Sequence, residues 1–408
     1  MAIIEPFKPL RPLNQFASVV IAPPYDTVTI EEAQRIIWNN PLSFLKVLKP
    51  EVNVPFHSSS KKVIYNEARN ALKEFINKGI FIKEEKPHLY IYTEEVDGRR
   101  QSGIVGLFSC KDYEKGIIKR TENTKDNELD DRIQWIEYTG IQAGPVFLIH
   151  KENSASHKVI KEIIRKTPEY DFITEDNVRH IIHSISDREL IENIQKIFLK
   201  IPTLYIADGN HRVAAYCKIS KKISPEKGLF IGAAVFSQEA HILAYNRIVK
   251  ELNGFSKEEF LKELKNYFYV EKIHKNIKPC CKHHFTMYLD KEWFKLVIKE
   301  NYINKTSPLE SLDTYLLEKY VFKSILGLDS KTSNGKIDFV SEKVNIKEIL
   351  SNIDRGESRV LFLLFPIDVE EMMNIVDQGY IMPPKSTWFE PKFRSGLFLY
   401  PIETVSEV

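Results

Sequence analysis

Short apolar runs alternate with stretches of helical periodicity along this chain. That pattern predicts a mixed α+β fold. Leu89-Tyr-Ile-Tyr-Thr93 and the apolar run at 103–108 flank Asp97-Gly98, whose tolerance of positive φ makes it a strong hairpin signal. Further strands are predicted at 146–149, 203–206, 228–236 and 360–365, and a second hairpin from 285–289 and 293–298. Thr29 and Glu32 form a capping box that opens a helix to about Trp38. Other helices are predicted at 61–78, 188–199, 210–219, 309–322 and 369–376, the first with Val63, Ala68, Leu72 and Phe75 on one stripe. No internal repeat or long linker interrupts this order. The best boundary lies near residue 250, giving regions 1–250 and 251–408.

The local feature with the most chemistry is Ala207-Asp-Gly-Asn-His-Arg212. A strand, a sharp Asp208-Gly209 turn and a helix starting at Asn210 leave unpaired amides at the helix start, where the dipole favours an anion. Gly209 lets backbone approach a ligand closely, and His211 and Arg212 add donors. Asp208 is placed to position a metal ion or accept a proton. The competing reading is a capped helix with an ordinary surface ion pair, and residues alone leave both open.

Asp208-Gly-Asn-His-Arg212 resembles the Asp-Gly-His-His-Arg turn of the free-serine kinases that share the ParB/sulfiredoxin fold. More of the chain is similar to a large bacterial and archaeal family related to those kinases. The similar segments are Ala22-Pro-Pro-Tyr-Asp26, Ile118-Lys-Arg-Thr-Glu122, Asp131-Arg132, Gly144-Pro-Val-Phe147, Tyr245-Asn-Arg247 and Met382-Pro-Pro-Lys-Ser-Thr-Trp-Phe-Glu-Pro-Lys392. The resemblance implies a ParB/sulfiredoxin-like core elaborated by further α/β lobes, with a C-terminal lobe returning to the site. It also implies phosphoryl transfer to the hydroxyl of free L-serine, giving O-phospho-L-serine.

Within that resemblance, Asp26, held by rigid Pro23 and Pro24, is the candidate general base, with Asp208 as alternative base or metal-positioning residue. Gly209, Asn210, His211, Arg212, Lys119, Arg120, Arg132, Lys385, Ser386 and Thr387 become phosphate-binding candidates. Tyr25, Thr121, Glu122, Asn246, Arg247 and Glu390 are left to contact substrate. Asn210 and Thr121 stand where that family usually has His, so no proton-carrying role transfers to them. A Mg2+ ion is expected with the donor. Pyrophosphate is the favoured donor because basic residues crowd the turn, with ATP or ADP as alternatives. A kinase of another small alcohol and a non-catalytic sensor of phosphorylated metabolites also stay open.

Other activities of that fold do not fit. A sulfiredoxin-like reductase needs a cysteine where Asn210 stands. A DNA-binding switch needs a helix-turn-helix and a basic face, whereas 58 basic and 56 acidic residues give a net charge of +2. Neither nucleic acid nor an anionic membrane is therefore an expected partner. Lys385-Ser386-Thr387 lacks the upstream glycines of a P-loop, and Lys392 and Arg394 read as exposed charges on a proline-stiffened loop. The run around 360–367 is too short to span a bilayer, and the first residues lack a signal-peptide layout. Cys110, Cys217, Cys280 and Cys281 are too few and too unevenly spaced for a disulfide framework, which suits a reducing cytoplasm. Cys280-Cys281-Lys-His283-His284 lacks the usual zinc spacing and reads as a polar lead-in to a strand. His180 and His183 share a helix-like spacing and read as core or surface histidines.

Overall fold

The computed structural model describes residues 1–54, 60–152, 154–223, 228–329 and 335–402. Helices and a mixed sheet make the fold α+β. The chain forms two units: residues 1–120, 124–240 and the segment from Pro391 on make the first, and residues 121–123 and 241–390 the second. The division expected near residue 250 lies inside the second unit, and the segment from Pro391 belongs to the first.

In the first unit, a sheet runs in the order Ile118–Lys119, Leu204–Asp208, Val146–His150, Leu229–Phe236, Arg99–Ser109, Leu89–Val96, Arg179–Ile185, Tyr170–Ile173, with Ile4–Glu5 added beside Arg99–Ser109. Ile118–Lys119 lies parallel to Leu204–Asp208, and Val146–His150 parallel to Leu229–Phe236; the other pairs are antiparallel. The predicted hairpin closes at Asp97-Gly98, both at positive φ, as the Leu89–Val96 and Arg99–Ser109 strands require. Central strands are apolar on both faces because both are covered.

Gly106 and Gly232 are directly paired across neighbouring strands. A Cβ on Gly106 would stand 2.7 Å from Ile4 and Leu89, and one on Gly232 would stand 2.8 Å from the Phe108 ring. Larger residues have taken the space these two leave. Gly232→Val is therefore expected to cost about 1–3 kcal/mol by overpacking, read as a shift of the urea midpoint at unchanged slope. A midpoint equal to wild type would show that the core has slack here.

The helix-like spacing of His180 and His183 misled, because both lie on the Arg179–Ile185 strand. His180 is fully buried, its ring between Tyr92 Oη at 2.8 Å and Thr174 Oγ1 at 3.0 Å. Burial, followed by the nearby Arg394 charge, pushes its pKa down to about 3, so Glu94 at 3.6 Å faces a neutral ring. His150, also buried, is pushed down to about 4 by burial, with Nδ1 donating to the Lys151 carbonyl at 2.8 Å.

Unfolded imidazoles take up protons near pH 6.5. Between there and pH 4 the unfolded chain binds more protons than the folded one, so stability falls as pH falls. For His150 the loss reaches roughly 3 kcal/mol by pH 4. His150→Gln should flatten that part of the stability–pH curve between pH 7 and 4.5. An unchanged slope would mean that His150 protonates in the folded chain.

Cys110, at the start of the Cys110–Glu114 helix, and Cys217, in the Asn210–Ile223 helix, are joined by a disulfide with Cα atoms 5.3 Å apart. The spacing of the four cysteines did not suggest it, because the partners stand 107 residues apart in sequence. Both cysteines are buried. Among the described residues no helix is long and apolar enough to cross a membrane.

The second unit has an all-antiparallel sheet, ordered Phe268–Ile273, Glu292–Ile298, His284–Leu289, Val360–Leu364, Tyr245–Val249, Ile337–Ser341. Alternation along Val360–Leu364 sends Val360, Phe362 and Leu364 to one core, with Phe260 and Leu316, and Leu361 and Leu363 to another, with Ile349 and Ile353. That two-sided burial is why the run reads as apolar without a period. The helix predicted at 309–322 starts later, at Asp313, and widens into a π-helical stretch over Glu318–Ile325.

Candidate functional site

In the first unit the Leu204–Asp208 strand ends in a bulge against Val146–His150, between Ile206 and Asp208. Gly209 follows at φ +104° and the Asn210–Ile223 helix begins at once. This is the strand–turn–helix predicted for the segment. The backbone angle calls for glycine, and a Cβ here would crowd the Arg212 guanidinium at 3.0–3.1 Å.

Arg212 folds back over the turn. Its Nη1 donates to the Pro145 carbonyl at 2.8 Å and its Nη2 to Asp208 Oδ2, while Lys392 Nζ donates to Asp208 Oδ1. Burial alone would lower the Arg212 pKa, but Asp208 and then Asp26 outweigh it and hold it above the ordinary value. Asp208 thus has a cation on each oxygen. A metal ion at Asp208 would have to share both carboxylate oxygens with these cations. His211 faces the start of the Asp126–Thr139 helix, where its Nε2 accepts the Lys125 N–H at 3.0 Å. Asn210 is buried at the first helical position.

Tyr25 and Asp26 open a short 3-10 turn, Tyr25–Thr27, pinned by Thr27 Oγ1 donating to the Pro24 carbonyl at 2.7 Å. The Arg132 guanidinium lies 3.9 Å from the centre of the Tyr25 ring and 5.2 Å from that of Trp135, a cation–π stack on both. Arg132 donates to Asp131 at 3.1 Å, and its buried Nε has no partner among the described residues. Burial pushes the Tyr25 phenol up, against the pull of Arg132. Arg132, Arg212, Tyr25 and Tyr216 line a cavity of about 20 Å³, room for about one water. Asp26 is exposed.

The turn and the Tyr25–Thr27 segment therefore share one electrostatic neighbourhood. Pro23 and Val28, on either side of the second segment, line an open groove of about 880 Å³ with Ile21, Ile36, Asp176 and Arg394. Lys119 lies on the edge strand in register with Tyr205, half-buried, and Arg120 follows it, exposed.

The remaining sequence candidates belong to the second unit. Asn246 Oδ1 accepts the Leu364 N–H at 3.1 Å. Buried Arg247 donates to the Tyr245 carbonyl at 2.7 Å and the Lys385 carbonyl at 2.9 Å, and burial lowers its pKa to about 10. Lys385 sits at positive φ. Ser386 Oγ donates to the Pro383 carbonyl at 2.7 Å and lies 3.1 Å from Thr314 Oγ1, with half-buried Thr387 next in the loop. Glu390 pairs with Lys343 and accepts the Trp388 indole N–H at 3.0 Å. The Thr121 carbonyl accepts the Met382 N–H at 3.1 Å, and half-buried Glu122 follows it. Here the Arg247, Ser386 and Glu390 side chains brace the 382–390 loop.

Sequence reasoning passed over Lys392, read as an exposed loop charge; only its place in the 382–392 segment hinted at more. It also missed Asp313, whose carboxyl is pushed up to about 7 by burial. Asp313 Oδ1 accepts the His283 N–H at 2.8 Å, Oδ2 has no partner among the described residues, and the adjoining cavity is only about 10 Å³.

The model of a family described as "Protein of unknown function (DUF1015)" matches residues 4–315. No curated protein matches the chain. Among solved structures it is similar to a free serine kinase in complex with AMP, at 16% identity over 70% of this chain and 86% of that one, with a TM-score of 0.38. It is also similar to a conserved hypothetical protein from Pyrococcus furiosus, at 15% identity over 70% and 90%, TM-score 0.36. A third is SbnI with C-terminal truncation from Staphylococcus aureus, at 12% identity over 74% and 90%, TM-score 0.40. Likenesses at this level assign neither activity nor ligand.

Proposed function

We propose that this chain, which belongs to the DUF1015 family, is a small-molecule kinase that transfers a phosphoryl group from pyrophosphate to the hydroxyl of free L-serine. The observation that carries the reading is the Gly209 turn. A helix of 14 residues opens there, directly beside Arg212, and Arg132 and Lys392 stand close by. First-turn amides plus fixed cations form a ready anion site, and the exposed Asp26 supplies a carboxylate that can accept a hydroxyl proton. The resemblance of the 208–212 turn to that of the free-serine kinases names the acceptor. The ParB/sulfiredoxin-like core stands on the same footing.

In this reading the amides and cations hold the donor's phosphates, Asp26 takes the proton as the serine oxygen bonds to phosphorus, and the bridging P–O bond of pyrophosphate breaks to release orthophosphate. Asp208 acts on Arg212 and Lys392, keeping both charges at the turn. Mg2+ enters as the ion that phosphoryl donors carry. One observation favours a nucleotide donor instead. The groove of about 880 Å³ beside Pro23 and Val28 is large enough for one.

The test is formation of O-phospho-L-serine from L-serine and Mg2+, with pyrophosphate, ADP or ATP supplied separately. Product with pyrophosphate alone is expected. Product with ATP or ADP alone would replace the donor, product only with other alcohols would replace the acceptor, and binding without turnover would make the chain a sensor.

A further inference from the structure

In the second unit the segment before the His284–Leu289 strand brings together three groups that sequence spacing had argued apart. Cys280 Sγ lies 3.4 Å from Cys281 Sγ and 3.5 Å from His284 Nδ1, and all three atoms fall within 4.8 Å of one another. For a tetrahedral zinc ion with Zn–S near 2.3 Å and Zn–N near 2.0 Å, the ligand atoms stand about 3.5–3.8 Å apart. The unusual spacing is no obstacle here, because the two thiols converge and the chain turns before the strand to bring His284 to them. His283 takes φ +69°, and its Nε2 is engaged with the Ser311 carbonyl at 2.9 Å. That leaves His284 to face Cys280.

The segment is fixed at both ends before any ion arrives. The His283 N–H donates to Asp313 Oδ1 at 2.8 Å, and Thr286 Oγ1 donates to the Ile277 carbonyl at 2.5 Å. His284 is itself in register with Val297 on the neighbouring strand. Both thiols are exposed and His284 half-buried, so an ion has an open path. Two thiols and one imidazole select a thiophilic cation over Mg2+ or Ca2+.

We propose that Cys280, Cys281 and His284 bind one Zn2+ ion through two thiolates and Nδ1, with the fourth position open to solvent. Binding forms two Zn–S bonds and one Zn–N bond. The two thiol protons pass to solvent, and nothing is oxidised or reduced. This site is independent of the kinase reading.

The test uses the full chain, reduced, stripped of metal with a chelator and titrated anaerobically with Co2+ and then Zn2+. One Co2+ per chain is expected, with a thiolate-to-cobalt charge-transfer band that one equivalent of Zn2+ abolishes. Two protons per ion should be released, read from binding heats in buffers of different ionisation enthalpy. Cys280→Ser and His284→Gln should each weaken binding at least about 100-fold, and the Cys280→Ser/Cys281→Ser variant should lose the band. Because these side chains lie at the surface, circular dichroism should be unchanged; if one single variant fails to fold, the other still decides. No band in the reduced wild-type chain, or a band that survives in the double variant, would overturn the proposal.

Discussion

Asp26→Asn is expected to lower phosphoserine formation by about 10²–10⁴-fold, the usual contribution of a positioned general base. The fold should hardly notice. Asp26 is exposed on a one-turn segment whose pinning bond comes from Thr27 and Pro24. Unfolding free energy should therefore stay within about 0.5 kcal/mol of wild type. Asn keeps the size and polarity of the side chain but cannot take the proton. The loss should fall on kcat, with KM little changed. Steady-state kinetics beside urea denaturation makes the check. Turnover near the wild-type value would remove Asp26 as the base.

Asp208→Ala is expected to behave in the opposite way and to destabilise the chain by about 3–5 kcal/mol. Its carboxylate faces Arg212 on one oxygen and Lys392 on the other, and Arg212 is buried. Removing it leaves a buried cation without its counter-charge, and desolvation of that cation is no longer offset. A double-mutant cycle separates this account from simple loss of packing. With Arg212→Met already in place, removing Asp208 should cost much less, because the stranded charge is gone. A single-variant cost below about 1 kcal/mol would show that the pair is not a buried one. Activity will also fall in Asp208→Ala, but together with stability, which Asp26→Asn should not show.

What the sequence made legible was local. The Gly209 turn could be placed because strand, glycine and helix follow one another directly. The Thr29 capping box is present as predicted. The hairpin at Asp97-Gly98 rests on two adjacent residues that tolerate positive φ. Lys392 meets Asp208 across 184 residues, and Cys110 meets Cys217 across 107, and neither pairing leaves a period or spacing to find. His180 and His183 show the opposite failure. Their spacing suited a helix, but flanking Ile181, Ile182 and Ile185 favour a strand, and pairing with Leu89–Val96 and Tyr170–Ile173 decided it. The metal-site candidate escaped because the usual spacing rule assumes a continuous turn between ligands, and His283 at positive φ breaks that assumption.

Phe393, Leu397, Phe398 and Leu399 are buried, and they belong to the same unit as residues 1–120. Phe393 packs on Tyr92 and Phe147, and Phe398 on Phe7 and Tyr90. During synthesis those aromatic partners leave the ribosome well before the residues that cover them. Residues 241–390, a unit of their own, emerge in between. The core of the second unit can therefore form while the first still has apolar surface open. The Lys392 contact that pairs Asp208 forms only at that last step, so a nascent chain stalled before Pro391 would carry the Gly209 turn without one of its cations.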